Sequence, residues 1–136
     1  AFYAANHVAT RTLQQACDFE EDKLSRSYSS ASIGSTAIWE QGITGDGVIV
    51  GVGDSGIDAE TCFFHDPQTK VPYNTFSMQH RKLAVYITKY GDNLDHSGHG
   101  THVAGSIAGK PLQEREGHGL APQAKIVFID LADGKG

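Results

Sequence analysis

Three short apolar runs stand out from an otherwise mixed chain, at residues 48–53, 83–88 and 126–129. Each run is rich in aliphatic and aromatic side chains, and none alternates regularly between polar and apolar positions. Continuous apolar character of this kind is typical of strands buried on both faces, as in a parallel sheet. We therefore predict three parallel strands, and we expect the first of them to be covered on both faces.

A helix is predicted between the second and third runs, over residues 99–108. Ala104, Gly105 and Ala108 are small enough to let this helix pack closely against the sheet, and Gly109 is suited to end it. A strand, a helix and a parallel strand together form a βαβ crossover. The predicted fold class is therefore α/β, with a mostly parallel sheet and flanking helices.

The organisation of the rest of the chain is less regular. An earlier helix is predicted to begin at the N-cap residue Ser32 and to end at Gly42. Residues 1–31 read as an N-terminal extension or linker, ahead of one domain that occupies residues 32–136. A turn-like tail follows directly on the last strand pattern, so we expect the domain to continue beyond the end of this sequence.

Composition and charge exclude several classes of partner. The 136 residues carry a net charge of −5, and their Lys and Arg residues form no basic stripe, so we expect no nucleic-acid partner. No apolar run is long enough to span a membrane, and no signal peptide is recognisable. Cys17 and Cys62 could form one disulfide or remain two buried thiols. His65, His80 and His118 are expected at the surface or in loops.

Two segments place an ionisable side chain at the border of a predicted element. Asp54 closes the first strand within residues 53–57 (GDSGI), and His99 opens the helix within residues 99–105 (HGTHVAG). Functional residues of a parallel sheet gather at the carboxyl ends of its strands. An imidazole can act as a general base when a carboxylate fixes its tautomer and stabilises its charged form. We therefore predict direct contact between the Asp54 and His99 side chains.

Three segments resemble successive landmarks of the subtilisin-like serine proteases, in the order that this family shows. They are residues 52–58 (VGDSGID), 98–105 (GHGTHVAG) and 119–124 (GLAPQA). The resemblance covers about residues 32–136 and implies the N-terminal part of a peptidase catalytic domain. It implies that Asp54 orients the base and that His99 is the general base and acid of a serine endopeptidase.

The resemblance also implies roles for neighbouring residues. Ser55 would form hydrogen bonds near the aspartate, while Gly98 and Gly100 flank the histidine and would leave space for substrate and for the other catalytic segments. Thr101 and His102 would pack the helix, His102 as the buried second histidine of the family. No segment matches the family's nucleophilic Ser motif, so this stretch alone is expected to be inactive.

Further expectations about ligands and location follow from the same resemblance. It implies a protein or peptide substrate, with a propeptide or an inhibitor as a further partner, and an extracellular or secretory-pathway location. No cofactor is predicted for these residues. Structural calcium is implied for the full domain, but Phe63 stands where many family members have a calcium-binding aspartate.

Three other interpretations stay open. The chain could be a non-catalytic, subtilase-like binding module. It could be an esterase of the Gly-Asp-Ser type with Ser55 as its nucleophile, although position 56 is Gly rather than Leu and the helix motif is then unexplained. Finally, His96, His99 and His102 are spaced by three and could bind zinc if all of them lay on one helix.

Overall fold

The computed structural model describes residues 36–89, 92–112 and 118–132. The N-terminal extension, the Ser32 cap, Cys17 and the tail at 133–136 lie outside these residues. Within them, no helix has both the length and the apolar character that crossing a membrane would require.

A parallel sheet of three strands forms the centre of the described structure. The strands are β1 (Ile49–Asp54), β2 (Leu83–Ile87) and β3 (Lys125–Asp130), in the spatial order β1-β3-β2. The α/β prediction and its three strands are thus confirmed, with bounds that shift by one residue at most at each end. The register pairs Asp54 with Asp130, so both carboxylates lie at the same edge of the sheet.

The prediction that β1 is buried on both faces is wrong for the described residues. Val52 is buried and Val50 packs against the core, whereas Ile49 is 41% exposed and Val48 just before the strand is 49% exposed. Side chains alternate between the two faces of a strand. The face that carries Val50 and Val52 is therefore covered, while the face that carries Ile49 stays open. β1 is also an outer strand of this sheet and pairs with β3 alone.

Helix α2 is the element that covers the sheet. After the short helix α1 (Thr36–Trp39), α2 spans His99–Ala108 and ends at Gly109, as the sequence predicted. Its buried residues Gly100, Ala104 and Ala108 recur every four positions and so form one face. Gly105 differs from the expectation, because a Cβ placed there would meet no atom within 4 Å.

Helix α1 ends at Trp39, three residues before Gly42, and Gly42 terminates the helix as predicted. Gly42 has a left-handed φ of 78°. Its N–H donates to the Trp39 carbonyl at 2.8 Å, and the Ile43 N–H donates to the Ile38 carbonyl at 3.2 Å. This pair of bonds is a Schellman motif, in which the residue after the helix adopts a conformation that glycine tolerates best.

The core is formed by apolar side chains from every layer of the structure. The buried core includes Val52, Ile57, Phe64, Leu83, Tyr86, Ala104, Ala108, Ala124, Ile126 and Phe128. One of its aromatic members, Phe64, comes from the irregular segment between β1 and β2. That segment contains no helix or strand, only an isolated bridge between Tyr73 and Tyr86. It is nevertheless anchored to the rest of the structure, because Cys62 and Phe64 are buried and the Arg81 guanidinium donates to the Cys62 carbonyl. Cys62 is disulfide-bonded.

His80 lies in the loop before β2, one of its two predicted positions, but it is not at the surface. The side chain is only 1% exposed. Its Nδ1 accepts hydrogen bonds from the N–H groups of Lys82 at 3.2 Å and Leu83 at 2.9 Å. The histidine therefore shapes the turn that leads into β2, which a sequence pattern does not reveal.

Candidate active site

The structure brings Asp54 and His99 into direct contact. Asp54 is the last residue of β1 and His99 is the first of α2, and the His99 Nδ1 lies 2.7 Å from the Asp54 Oδ1. The aspartate side chain is 17% exposed, whereas the imidazole is 63% exposed. With Nδ1 donating to the carboxylate, Nε2 is the nitrogen left to exchange a proton with another group.

The two groups shift each other's pKa in opposite directions. The hydrogen bond to Asp54, together with its negative charge, raises the pKa of His99 above its usual value. Burial raises the pKa of Asp54, but hydrogen bonds from His99 and from the Ser55 N–H outweigh burial, so the net pKa is lowered. Both shifts favour an ionised aspartate beside a readily protonated imidazole.

Asp95 organises the start of α2, and the sequence analysis missed it. Its Oδ1 accepts from the Gly98 N–H at 2.9 Å, and its Oδ2 accepts from the Thr101 N–H at 2.8 Å and from the Thr101 hydroxyl. Helix α2 has no side-chain bond from its own N-cap residue, Gly98. Asp95 therefore satisfies N–H groups that the first turn of a helix leaves unpaired.

Ser55 connects this cap to the end of β1. Its hydroxyl donates to Asp95 Oδ1 at 3.0 Å and accepts from the Gly100 N–H at 3.1 Å. The Ser97 hydroxyl lies 2.7 Å from the Ser55 hydroxyl and accepts from the His99 N–H at 3.1 Å. The strand end and the helix start are thus tied by bonds on either side of the Asp54–His99 contact.

The other predicted supporting residues have specific positions around this contact. Gly100 leaves room for the segment that follows β1, because a Cβ there would lie 2.1 Å from the Gly56 carbonyl oxygen. Gly98 has a left-handed φ of 75° at the helix start. The Thr101 hydroxyl accepts from the Asp58 N–H at 2.9 Å and so anchors the next loop. His102 was expected to be buried, yet it is exposed, because it lies on the side of α2 away from the sheet.

A second carboxylate lies beside this edge of the sheet. Asp130 ends β3, is fully buried, and accepts from the Tyr86 hydroxyl at 3.3 Å and the Asn93 N–H at 3.2 Å. The Tyr86 hydroxyl in turn accepts from the Ile57 N–H at 3.1 Å. These bonds join the loops that contain Ile57 and Asn93 to β2 and to the end of β3. The only sequence signal for Asp130 was its place after an apolar run, which it shares with Asp54.

The geometry does not favour the esterase and zinc interpretations. The Ser55 hydroxyl bonds to Asp95, Ser97 and the Gly100 N–H, and none of these partners is an imidazole that could remove its proton. His96 pairs with Asp92 at 2.7 Å instead of turning towards His99. Across residues 36–89, 92–112 and 118–132, no group of three His, Cys, Asp or Glu side chains could hold a metal ion.

The surroundings of Phe63 do not fit a calcium ion. The phenyl ring packs against the core and offers no oxygen ligand. The nearby carbonyl oxygens of Cys62, His65 and Lys110 all accept hydrogen bonds from the Arg81 guanidinium. A fixed cationic side chain therefore already uses these oxygens.

Comparison with known proteins agrees with this geometry. The family model of the subtilases, peptidase family S8, matches residues 45–136. Two Dictyostelium discoideum proteins named "Serine protease/ABC transporter B family protein", tagD and tagA, are 45% identical over 95 residues and 44% identical over 112 residues. These matches cover 66% and 79% of this chain. "Minor extracellular protease Epr" of Bacillus subtilis is 33% identical over 102 residues, which is 72% of this chain.

The chain spans only a small part of these relatives, namely 5% and 6% of the Dictyostelium proteins and 13% of the Bacillus protein. The match nevertheless includes both ends of the Asp54–His99 contact and all three strands. The chain therefore belongs to the subtilase family.

Proposed function

We propose that this chain is the N-terminal part of the catalytic domain of a serine endopeptidase, in which Asp54 and His99 are two members of a Ser-His-Asp triad. The observation that supports the proposal best is the 2.7 Å contact between His99 Nδ1 and Asp54 Oδ1 at the joined ends of β1 and α2. Membership of the subtilase family supports it independently.

The proposed chemistry assigns one role to each group. His99 Nε2 removes the proton from a serine hydroxyl as that oxygen attacks the carbonyl carbon of a peptide bond, and then donates the proton to the departing amine. Asp54 stays ionised, holds the proton on Nδ1 and stabilises the imidazolium. The serine and the oxyanion donors come from parts of the protein beyond the described residues.

The proposal extends to substrate, partners and location. The substrate is a protein or peptide, and a propeptide or inhibitor is the further partner. The place of action is outside the cell or in the secretory pathway, in keeping with the name of the Bacillus relative and with the disulfide-bonded Cys62. Structural calcium would belong to parts of the full domain other than the surroundings of Phe63.

The test uses the full-length protein and a fluorophosphonate probe. Such a probe labels a serine only when its oxygen is activated, because that oxygen must displace fluoride from phosphorus while a base takes the proton. We expect labelling of the wild type and a loss of about 10³-fold or more in the labelling rate of His99→Ala, since triad members act as a unit. Peptide hydrolysis should fall in parallel.

A matched control is available in the second His–Asp pair. His96 and Asp92 are also 2.7 Å apart, but both side chains are well exposed. His96→Gln should therefore retain the labelling rate of the wild type. Equal labelling of the wild type and His99→Ala would refute the proposed role. If the folded wild type reacts with neither probe nor peptide, the non-catalytic binding module becomes the better interpretation.

A further inference from the structure

A cavity of about 250 Å³ lies between the segment before β2, the segment after α2 and the segment before β3. Three of its lining residues, Arg81, Lys82 and Lys110, are cationic. The rest of the lining consists of two prolines, a leucine and the amide side chain of Gln123. No carboxylate lines the cavity among the described residues, although the Asp66 carboxylate partly compensates the charge of Arg81 from outside the lining.

Lys82 is the most constrained of these cations. Its side chain is only 2% exposed, and its Nζ donates to the carbonyls of Pro122 at 2.9 Å and Ala124 at 2.6 Å. An ammonium group has three protons, so one remains that no described residue accepts. In the part of the chain that the structure describes, ion pairs join histidines to carboxylates, and Lys82 takes part in none of them. A buried charge without an opposite charge is unfavourable.

Arg81 and Lys110 also retain hydrogen-bond donors. The Arg81 guanidinium donates one N–H from each nitrogen to a carbonyl, at His65, Lys110 and Cys62. Two of its five N–H groups are therefore left over. No described group accepts a hydrogen bond from the Lys110 ammonium, although its carbonyl is used by Arg81. The Arg81 guanidinium and the Lys110 ammonium therefore both have N–H groups that no described residue accepts.

The pKa of Lys82 reflects this uncompensated charge. Burial, and then the charges of Arg81, Lys110 and Lys125, lower the pKa of Lys82 to about 7. A negative charge placed in the cavity would act in the opposite direction and favour the ammonium form.

We propose that this cavity binds a small tetrahedral oxyanion, phosphate or sulfate, held by Arg81, Lys82 and Lys110. Arginine and lysine are the side chains that recognise such anions, through charge-assisted hydrogen bonds. A dianion matches three converging cations better than the single charge of a carboxylate. The site uses neither Asp54 nor His99, so it does not depend on the proposed peptidase activity.

The test measures how fast an acetylating reagent modifies Lys110 in the full-length protein, with the modified lysines identified by mass spectrometry. Phosphate, sulfate, acetate and chloride are compared at one pH and one ionic strength. We expect phosphate and sulfate to slow the modification of Lys110 with a saturating dependence on concentration, about tenfold at ten times the dissociation constant. The exposed Lys70 is the internal control, and its rate should not change.

Thermal unfolding gives a second, independent measurement. Phosphate should raise the Tm of the wild type and of Lys70→Ala, whereas Lys110→Ala should lose most of this increase because it lacks one of the three cations. The proposal is overturned if phosphate and chloride protect Lys110 equally, or if Lys110→Ala keeps the full increase in Tm. Equal protection by acetate would assign the site to carboxylates and overturn the choice of a tetrahedral anion.

Discussion

Substitution of Gly100 by alanine should separate the end of β1 from the start of α2. A Cβ at this position would lie 2.1 Å from the Gly56 carbonyl oxygen, and 3.1 Å from both the Asp54 Cβ and the Phe128 ring. Contacts below 3.0 Å are essentially never seen, so the helix start and residue 56 must move apart by about 0.9 Å. A displacement along the 2.7 Å bond between Asp54 and His99 would stretch it to at most about 3.6 Å, where it is no longer a hydrogen bond.

The displacement has two measurable consequences. Overpacking of this kind lowers the free energy of unfolding by about 1–3 kcal/mol. A shift of this size at a reacting group lowers kcat/KM by about 10²-fold. We would measure unfolding of the full-length protein by denaturant titration, hydrolysis of a peptide substrate, and the pKa of His99 by NMR. That pKa should fall towards its ordinary value as the contact with Asp54 is lost.

Gly105→Ala is the matched control for Gly100→Ala. It places the same methyl group on the same helix, where no atom lies within 4 Å. Because alanine restricts the unfolded chain more than glycine does, Gly105→Ala should raise stability by about 0.4–1 kcal/mol and leave the pKa of His99 unchanged. The reasoning is refuted if Gly100→Ala matches the wild type in stability and in the pKa of His99.

Three further predictions concern the hydrogen bonds around this site. Asp54→Asn should lower the pKa of His99 and move the acidic limb of the kcat/KM profile to lower pH. It should also lower the free energy of unfolding between pH 3.8 and 6.5. The lowered pKa of Asp54 contributes folded-state stability that is fully present above pH 3.8, and the raised pKa of His99 contributes stability that is fully present below pH 6.5. An unshifted acidic limb would contradict this. Asp95→Ala removes the acceptor at the start of α2 and should cost about 0.5–2 kcal/mol in denaturant unfolding, whereas an unchanged midpoint would show that water replaces it. Tyr86→Phe leaves the Ile57 N–H and an oxygen of Asp130 short of a partner, so it should cost about 1–3 kcal/mol; a neutral or stabilising result would count against the buried network.

The local pattern of the sequence determined the elements and the two ends of the central contact. Apolar runs located β1, β2 and β3, because residues inside a parallel sheet must be apolar over several consecutive positions. Small residues and Gly109 located α2. The motifs around Asp54 and His99 indicated their proximity, since the carboxyl ends of parallel strands meet at one edge of the sheet.

Only the tertiary structure decided which surfaces are covered and which distant residues meet. Among the described residues, β1 is an outer strand with one open face and His102 is exposed, although burial was expected in both cases. His80 lies in a loop, as one alternative had it, but the local sequence did not indicate that it is buried. Asp95 bonds to Ser55, which lies 40 residues away in the sequence. Burial and such contacts depend on the order of strands and on the packing of helix against sheet. The pattern within a single segment does not specify either of them.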